Sequence, residues 1–541
     1  MSSVPDLLYL EPRRRLDARL LREALAFAFA TGGTAESFAK IWERAEFGES
    51  DFDSDCFARE LFLADFVSRC LTFTVAGRKY APERAHLQRL LSHPPRDLRV
   101  TGFRHEILRE LSERPGYALD LGRLAEKIRL LVLRLEAPDR GKRYDAIGRR
   151  VDILRGAREL LDELATAFPD ARSGLSRIRE FAIEQRGIPA YETLVNLLDH
   201  ESERATVELR VKVGYDGELR GFQIVRSGEN QQNPFYRTRF GRFMTKLTLW
   251  LQGYGFRETE LVGRLMNAAF DGVQDVVIAL FQLLVDMEFY LASLSLEQLA
   301  KKNGLPMCLP ELRGEPDART ELEGLFNPFL LLEERAPKTA DISAGARALS
   351  IITGPNSGGK TRLLQALALS QLLGQAGSFV PARRAALQAR RGLFVSLSHE
   401  ASSDQREGRL GTELLRIRRM FEQLRFGSLV ILDELCSGTN PSEGEEIFEL
   451  VVSLLAELEP QAYITTHFLQ FASRLEQERP VARLEFLQVE LDAQESPTYG
   501  FVPGVATTSL AERTAERLGV TREALRELVE RAKLRARGET A

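Results

Sequence analysis

The chain has few cysteines for its length, four in 541 residues, and no CxxC pair. Cys56, Cys70, Cys308 and Cys436 are scattered, and the six histidines form no ligand-spaced cluster with them. That argues against structural zinc and for a reducing cytoplasm. An excess of either charge is also lacking: 74 Lys and Arg against 78 Asp and Glu leave a net charge of -4. No global basic field marks a nucleic-acid or membrane-surface binder, so any contact with DNA has to come from a local patch. Uninterrupted apolar runs of roughly 18 or more residues are missing too, and a membrane partner is not expected. Internal repeats and low-complexity tracts do not occur.

What is present falls into two halves. From Arg13 to about Asp199 the apolar spacing is mostly helical: Leu124, Ile128, Leu131 and Leu135 share one face, as do Ile147, Val151, Leu154, Leu161 and Leu164. Breaks fall at "SHPPRD" (Ser92 to Asp97) and "RGIPAYE" (Arg186 to Glu192), where proline bars helix continuation. Between Thr206 and Val225 the period becomes two, which predicts a β-hairpin with Asp216-Gly217 at its tip. It is the one strand signal read in the first 320 residues. A long helix is expected from about Asp271 to Lys302, since Val277, Leu280, Leu284, Met287, Leu291 and Leu294 alternate threes and fours. A plain buried helix and a mechanical lever both remain open. The Gly-, Pro- and charge-rich stretch Lys301 to Gly324 reads as a domain boundary, and beyond it strands alternate with amphipathic helices, the pattern of a helix-covered parallel sheet.

The chemistry gathers in that second half. In "TGPNSGGKT" (Thr353 to Thr361), Gly354, Gly359, Lys360 and Thr361 fit G-x-x-x-x-G-K-[ST] between an apolar run and a helix. Glycines let successive N–H groups turn onto phosphates and the helix N-terminus adds its dipole. Lys360 then answers the β/γ oxygens, and Thr361 is a ligand for Mg²⁺. Downstream, "SLVILDEL" (Ser428 to Leu435) is a buried strand ending in two carboxylates. Asp433 is placed to hold the Mg²⁺ shell and Glu434 to take a proton from attacking water. A further strand, "AYITTH" (Ala462 to His467), ends in His467, within reach of a γ-phosphate.

These residues resemble the MutS family of DNA mismatch-repair ATPases. "TGPNSGGKT" is similar to its phosphate loop, including Pro355-Asn356, "QAGSFVPA" (Gln375 to Ala382) to the segment after its first ATPase helix, and "LDELCSGTNPSEG" (Leu432 to Gly444) to its carboxylate strand and turn. "TTHF" (Thr465 to Phe468) resembles its switch histidine and "TYG" (Thr498 to Gly500) with the helix after it its closing segment. The resemblance implies an α/β P-loop, ABC-like ATPase domain at the C-terminus, preceded by a mainly α-helical core and lever with one small hairpin. It divides the chain into residues 1–95, 96–324 and 325–541. It implies ATP and Mg²⁺ as cofactors, with Gly354, Pro355, Asn356, Ser357, Gly358, Gly359, Lys360 and Thr361 on the phosphates. Thr361 and Asp433 hold the metal, Glu434 is the base, Lys360 acts with it, and His467 senses the γ-phosphate. It also implies a homodimer through the ATPase heads, gripping mismatched or branched DNA in the cytoplasm.

Departures accompany it. Arg362 stands where a small hydroxyl residue is usual, and Gly408 where the partner-facing signature has a serine, although Glu413 and Leu414 fit. Phe256-Arg257-Glu258 spells a mismatch wedge but has no α/β domain before it, and the chain stops at Ala541 soon after its last helix. Neither direct mismatch reading nor nuclease action is expected. The candidate DNA patch is "NPFYRTRFGRFMTK" (Asn233 to Lys246), where cations interleave with aromatics; a packed face with solvated arginines is the competing reading. The charges of "PARRAALQARR" (Pro381 to Arg391) are expected on a solvated or subunit-facing surface. An ATP-dependent switch or scaffold gripping a protein or RNA partner stays open beside the DNA clamp.

Overall fold

A computed structural model describes residues 4–32, 35–137, 143–199, 206–213, 219–228, 257–314, 319–333, 337–397, 408–436, 440–507 and 522–536. The chain separates into two compact units. The first comprises Met1–Gly48, Leu71–Leu90 and Arg99–Leu296, the second Glu49–Cys70, Leu91–Leu98 and Glu297–Ala541. This differs from the three-way division read from sequence. The segment Glu49–Cys70, remote in the chain, packs within the second unit: Glu60 accepts from the Leu397 amide at 3.0 Å and Phe66 meets Phe329 edge to face.

Among the described residues ten helices precede the second half: α1 (Ala18–Thr31), α2 (Ala35–Glu43), α3 (Leu63–Cys70), α4 (Arg84–Ser92), α5 (Leu98–Glu113), α6 (Pro115–Glu136), α7 (Arg143–Leu164), α8 (Ser176–Arg186), α9 (Pro189–Asp199) and α10 (Arg257–Lys302). The proline breaks fall as expected, between α4 and α5 and between α8 and α9. α10 starts earlier than its regular repeat suggests. Its extension is held by contacts no repeat reveals, among them Phe270 stacked on Phe29 with centroids 4.0 Å apart. By length and composition Met266–Lys302 is apolar enough to cross a membrane, yet its apolar window is wholly buried in protein. The expected hairpin is β3 (Thr206–Val213) paired antiparallel with β4 (Leu219–Gly228). An unexpected one precedes it: β1 (Phe73–Val75) and β2 (Arg78–Tyr80) turn at Ala76-Gly77, both at positive φ. Three-residue strands are too short for alternation to show.

In the first unit the N-terminal segment is strapped onto α10. Asp286 accepts from the Leu7 amide and pairs with Arg15, which also faces Asp6 at 3.6 Å. Gln282 accepts from the Arg15 amide and donates to the Arg13 carbonyl, while Arg177 donates to the carbonyls of Asp6 and Tyr9. Two buried carboxylates share one guanidinium, so burial, helped by the Asp6 charge and opposed by Arg15, raises the Asp286 carboxyl to about 7.

The second unit holds two sheets. β8 (Leu349–Thr353), β10 (Leu393–Ser396), β11 (Leu429–Leu432), β12 (Gln461–Thr465), β13 (Leu484–Leu491) and β14 (Pro497–Pro503) form one, ordered β10-β11-β12-β8-β13-β14. All neighbours are parallel except β13 and β14. β8, β11 and β12 are buried along their whole length, as strands covered by helices on both faces must be. Among the described residues the helices are α11 (Lys360–Ala376), α12 (Gly408–Gln423), α13 (Pro441–Leu458), α14 (Leu469–Glu478) and α15 (Arg522–Ala536). The other sheet runs β5-β9-β6-β7, from β5 (Glu311–Arg313), β6 (Thr320–Leu325), β7 (Ala340–Ala344) and β9 (Arg384–Gln388). The stretch read as a boundary loop therefore contains β5 and most of β6. Thr320 and Leu322 point inward while Glu321 and Glu323 do not, an alternation diluted by surrounding charge.

In the arginine-rich stretch Arg383, Arg384 and Arg391 are exposed as expected, and Arg390 needs a correction. Arg390 is buried, not solvated: it donates to the Ala346 carbonyl and to Gln461 Oε1 at 2.8 and 2.6 Å, and its own amide and carbonyl are clamped by the Gln375 amide group. Burial lowers its guanidinium to about 10. Gln375 belongs to the motif "QAGSFVPA", whose Gly377 at φ 86 ends α11 in the left-handed cap that glycine favours.

Asp286→Ala leaves Arg15 buried and underpaired, and chemical denaturation of the first unit should show a loss of about 3–5 kcal/mol. Between the ordinary aspartate value and about 7 the folded carboxyl keeps a proton that the unfolded one releases, so its contribution falls as pH rises through that window. Buried His86 and His105, lowered by burial to about 3 and about 4, act in the opposite sense. The difference between wild type and Asp286→Asn isolates the carboxyl: wild type should gain relative stability from pH 7 down to pH 5.

Candidate nucleotide site

The loop between β8 and α11 is shaped by its backbone. Gly354 has φ 140, and a Cβ there would stand 2.6 Å from Val489 Cγ2, so no side chain fits. Gly359, at φ 88, precedes the first turn of α11, and Ser357 holds φ 66, a left-handed conformation that costs a non-glycine residue free energy. The curl brings the N-terminal amides of α11 to the C-terminal end of the sheet, where ligands bind in open α/β folds. Lys360 Nζ folds back onto the loop, donating to the carbonyls of Gly354 and Pro355 at 2.9 and 3.1 Å. Burial lowers its ammonium below the usual lysine range, against the pull of Glu434 and Asp433. Asn356 and Ser357 are exposed, and Pro355 and Gly358 are buried beneath them.

Beside the loop, β11 delivers Asp433 and Glu434. Asp433 is buried, and both of its oxygens are hydrogen-bonded: Oδ2 accepts from Thr361 Oγ1 and Oδ1 from Thr465 Oγ1, each at 2.5 Å. The Thr465 hydroxyl also accepts from the Glu434 amide at 2.7 Å. The first turn of α11 and the end of β12 thus converge on one carboxylate. Glu434 at φ 52 and Cys436 at φ 61 are both left-handed, which turns the Glu434 side chain off the strand line. Its Oε1 meets His467 Nε2, so the histidine expected at a γ-phosphate is held here by the second carboxylate. Thr361 and Asp433 present hard oxygen donors within one coordination sphere, a set that fits Mg²⁺ completed by phosphate and water.

α12, which begins at Gly408, sends Glu413 and Arg416 to a cavity of about 30 Å³ behind Asp433, Glu434 and Cys436, room for about one water. Leu414 is exposed. Burial raises the Cys436 thiol to about 12.

Motif reading missed the larger space on the other side of the loop. A cavity of about 610 Å³ is lined by Phe326, Asn327, Lys338, Gly359, Arg362 and Tyr499, among others. Tyr499, at φ 65, lies so close to Gly359 that a Cβ there would approach its ring to 3.1 Å. This volume and its aromatic wall suit a nucleobase. The signal was the "TYG" motif, where an aromatic on the edge hairpin β13–β14 reaches back to the loop. The candidate DNA patch 233–246 and Phe256 lie outside the described residues, and Arg257 and Glu258 open α10.

Comparison with known proteins accords with this geometry. Residues 350–534 match the family model described as MutS domain V. Curated relatives include proteins named Endonuclease MutS2 from Thermomicrobium roseum, 31% identical over 51% of this chain and 35% of the relative, and from Thermus thermophilus, 32% identical over 42% and 33%. One from Fusobacterium nucleatum is 33% identical over 37% and 25%. The chain thus spans between a quarter and about a third of the length of these relatives.

Thr465→Val removes the hydroxyl that serves Asp433 and the Glu434 amide together. Denaturant unfolding should register a loss of about 1–3 kcal/mol, largely restored by Thr465→Ser.

Proposed function

We propose, from the premise that the chain belongs to the MutS family through its domain V, that it binds ATP with Mg²⁺ and hydrolyses it to gate its grip on DNA. The observation that carries the reading is the convergence of Lys360, Thr361, Asp433, Thr465, Glu434 and His467 at one strand end beside a phosphate-sized loop.

In this reading the α11 amides and Lys360 exchange the loop carbonyls for β- and γ-phosphate oxygens. Thr361 and Asp433 would hold Mg²⁺, which would supply charge neutralisation to the phosphates. Glu434 accepts a proton from water as it attacks the γ-phosphorus; the bond to the β-bridging oxygen breaks, leaving ADP and phosphate. His467 orients the Glu434 carboxylate and senses whether a γ-phosphate is present. The base enters the cavity at Phe326 and Tyr499. Two heads pair so that each nucleotide is completed by a second copy, and the state of the site sets how the helical arms hold mismatched, branched or otherwise distorted DNA in repair or recombination, in the cytoplasm.

Lys360→Ala should abolish ATP binding in equilibrium titrations. Glu434→Gln should bind ATP and turn over about 100-fold or more slowly; turnover at the parent rate removes the base assignment. The second prediction concerns the partner. Duplex, mismatched and four-way-junction DNA, each titrated at two salt concentrations with and without ATP, should bind in a salt-sensitive, nucleotide-dependent manner. If none of them binds or stimulates turnover, the reading of an ATP-dependent switch gripping a protein or RNA partner is favoured.

A further inference from the structure

Arg362 is the third residue of α11, directly after Lys360 and Thr361. Its place is fixed by a buried bracket: Asn327 Nδ2 donates to the Arg362 carbonyl at 3.1 Å and to Gln365 Oε1 at 2.8 Å, and the same Gln365 oxygen accepts from Arg362 Nη1 at 3.1 Å. Asn327 is itself oriented by the Phe329 amide, which donates to its Oδ1 at 3.0 Å, and both Asn327 and Gln365 are buried. Among the described residues no carboxylate forms an ion pair with Arg362. One neutral oxygen engages one of five N–H donors. The Arg362 side chain is exposed at the cavity lining, and its guanidinium leaves most of its donors to solvent or a ligand.

Its position relative to the loop decides what it meets. Gly359 and Arg362 both line the cavity of about 610 Å³, whereas Lys360 folds onto Gly354 and Pro355 on the loop itself. A nucleotide with its terminal phosphates at Lys360 and its base in the cavity has to pass its innermost phosphate and ribose across the first turn of α11. Resting on the nucleotide reading above, we propose that Arg362 binds the phosphate nearest the ribose, making this site a holder of nucleoside diphosphates as much as of triphosphates. That phosphate is common to ATP and ADP, so the contact strengthens both equally and does not distinguish them. Discrimination is left to Lys360, Glu434 and His467, and the diphosphate is the ligand retained after the γ-phosphate departs.

The test is equilibrium titration of ATP, ADP and adenosine, with Mg²⁺, into wild type, Arg362→Thr, Arg362→Lys and Lys360→Ala. Arg362→Thr should weaken ATP and ADP by the same factor, about tenfold as for loss of one charge-assisted hydrogen bond. The ATP-to-ADP ratio and adenosine affinity should stay put, and Arg362→Lys should recover part of the loss. The melting temperature of each variant verifies the fold. Three outcomes overturn the inference: nucleotide affinities within twofold of wild type, a loss confined to ATP, or a parallel loss for adenosine, which would place the guanidinium on the base. If wild type binds neither nucleotide and Lys360→Ala behaves identically, the nucleotide reading falls too, a pattern distinct from the other three.

Discussion

Asp433 stands at the end of a fully buried strand with a threonine hydroxyl on each oxygen, and the rest of the site is arranged around that carboxylate. A buried carboxylate needs donors, and they come from two places in the chain, the first turn of α11 and the end of β12, while the Glu434 amide in turn donates to the Thr465 hydroxyl. Because Thr465 serves both Asp433 and the Glu434 amide, the two adjacent acidic residues are positioned by one hydroxyl. The left-handed backbone at Glu434 and Cys436 is the counterpart of this geometry, since a strand that continued straight would carry Glu434 away from His467.

The loop and its lysine form a second self-contained arrangement. Lys360 donates to its own loop's carbonyls, so the ammonium does not stand bare while burial depresses its charged form. Phosphate oxygens are stronger acceptors than those carbonyls, and the exchange from one to the other costs little reorganisation. On the far side of Gly359, Arg362 and Tyr499 line the larger cavity, brought together from α11 and the distant strand β14.

Much of this was legible in the sequence, and the limits have physical causes. The phosphate loop, the carboxylate strand and the His467 strand announce themselves because each is a local pattern: an apolar run followed by residues whose chemistry makes sense only at a strand end. The six spaced residues Val277 to Leu294 are all buried on α10 for the same reason. Hairpin β1–β2 and strands β5 and β6 escaped because three-residue strands and charge-diluted alternation carry too little period. Arg390 looked like surface by composition, and only the tertiary acceptors at Ala346 and Gln461 make its burial tolerable. Thr465 and Tyr499 were visible inside motifs, but their roles depend on partners 32 and 140 positions away, a distance that no local pattern encodes.

The central proposal is that Thr361 and Asp433 would hold Mg²⁺ for a triphosphate bound beside Lys360. It is tested most directly by calorimetric titration of ATP into the intact chain with Mg²⁺ and with EDTA. The account predicts one ATP per chain, bound at least tenfold more tightly with the metal than without it. Equal affinity in the two buffers, or no binding in either, contradicts it.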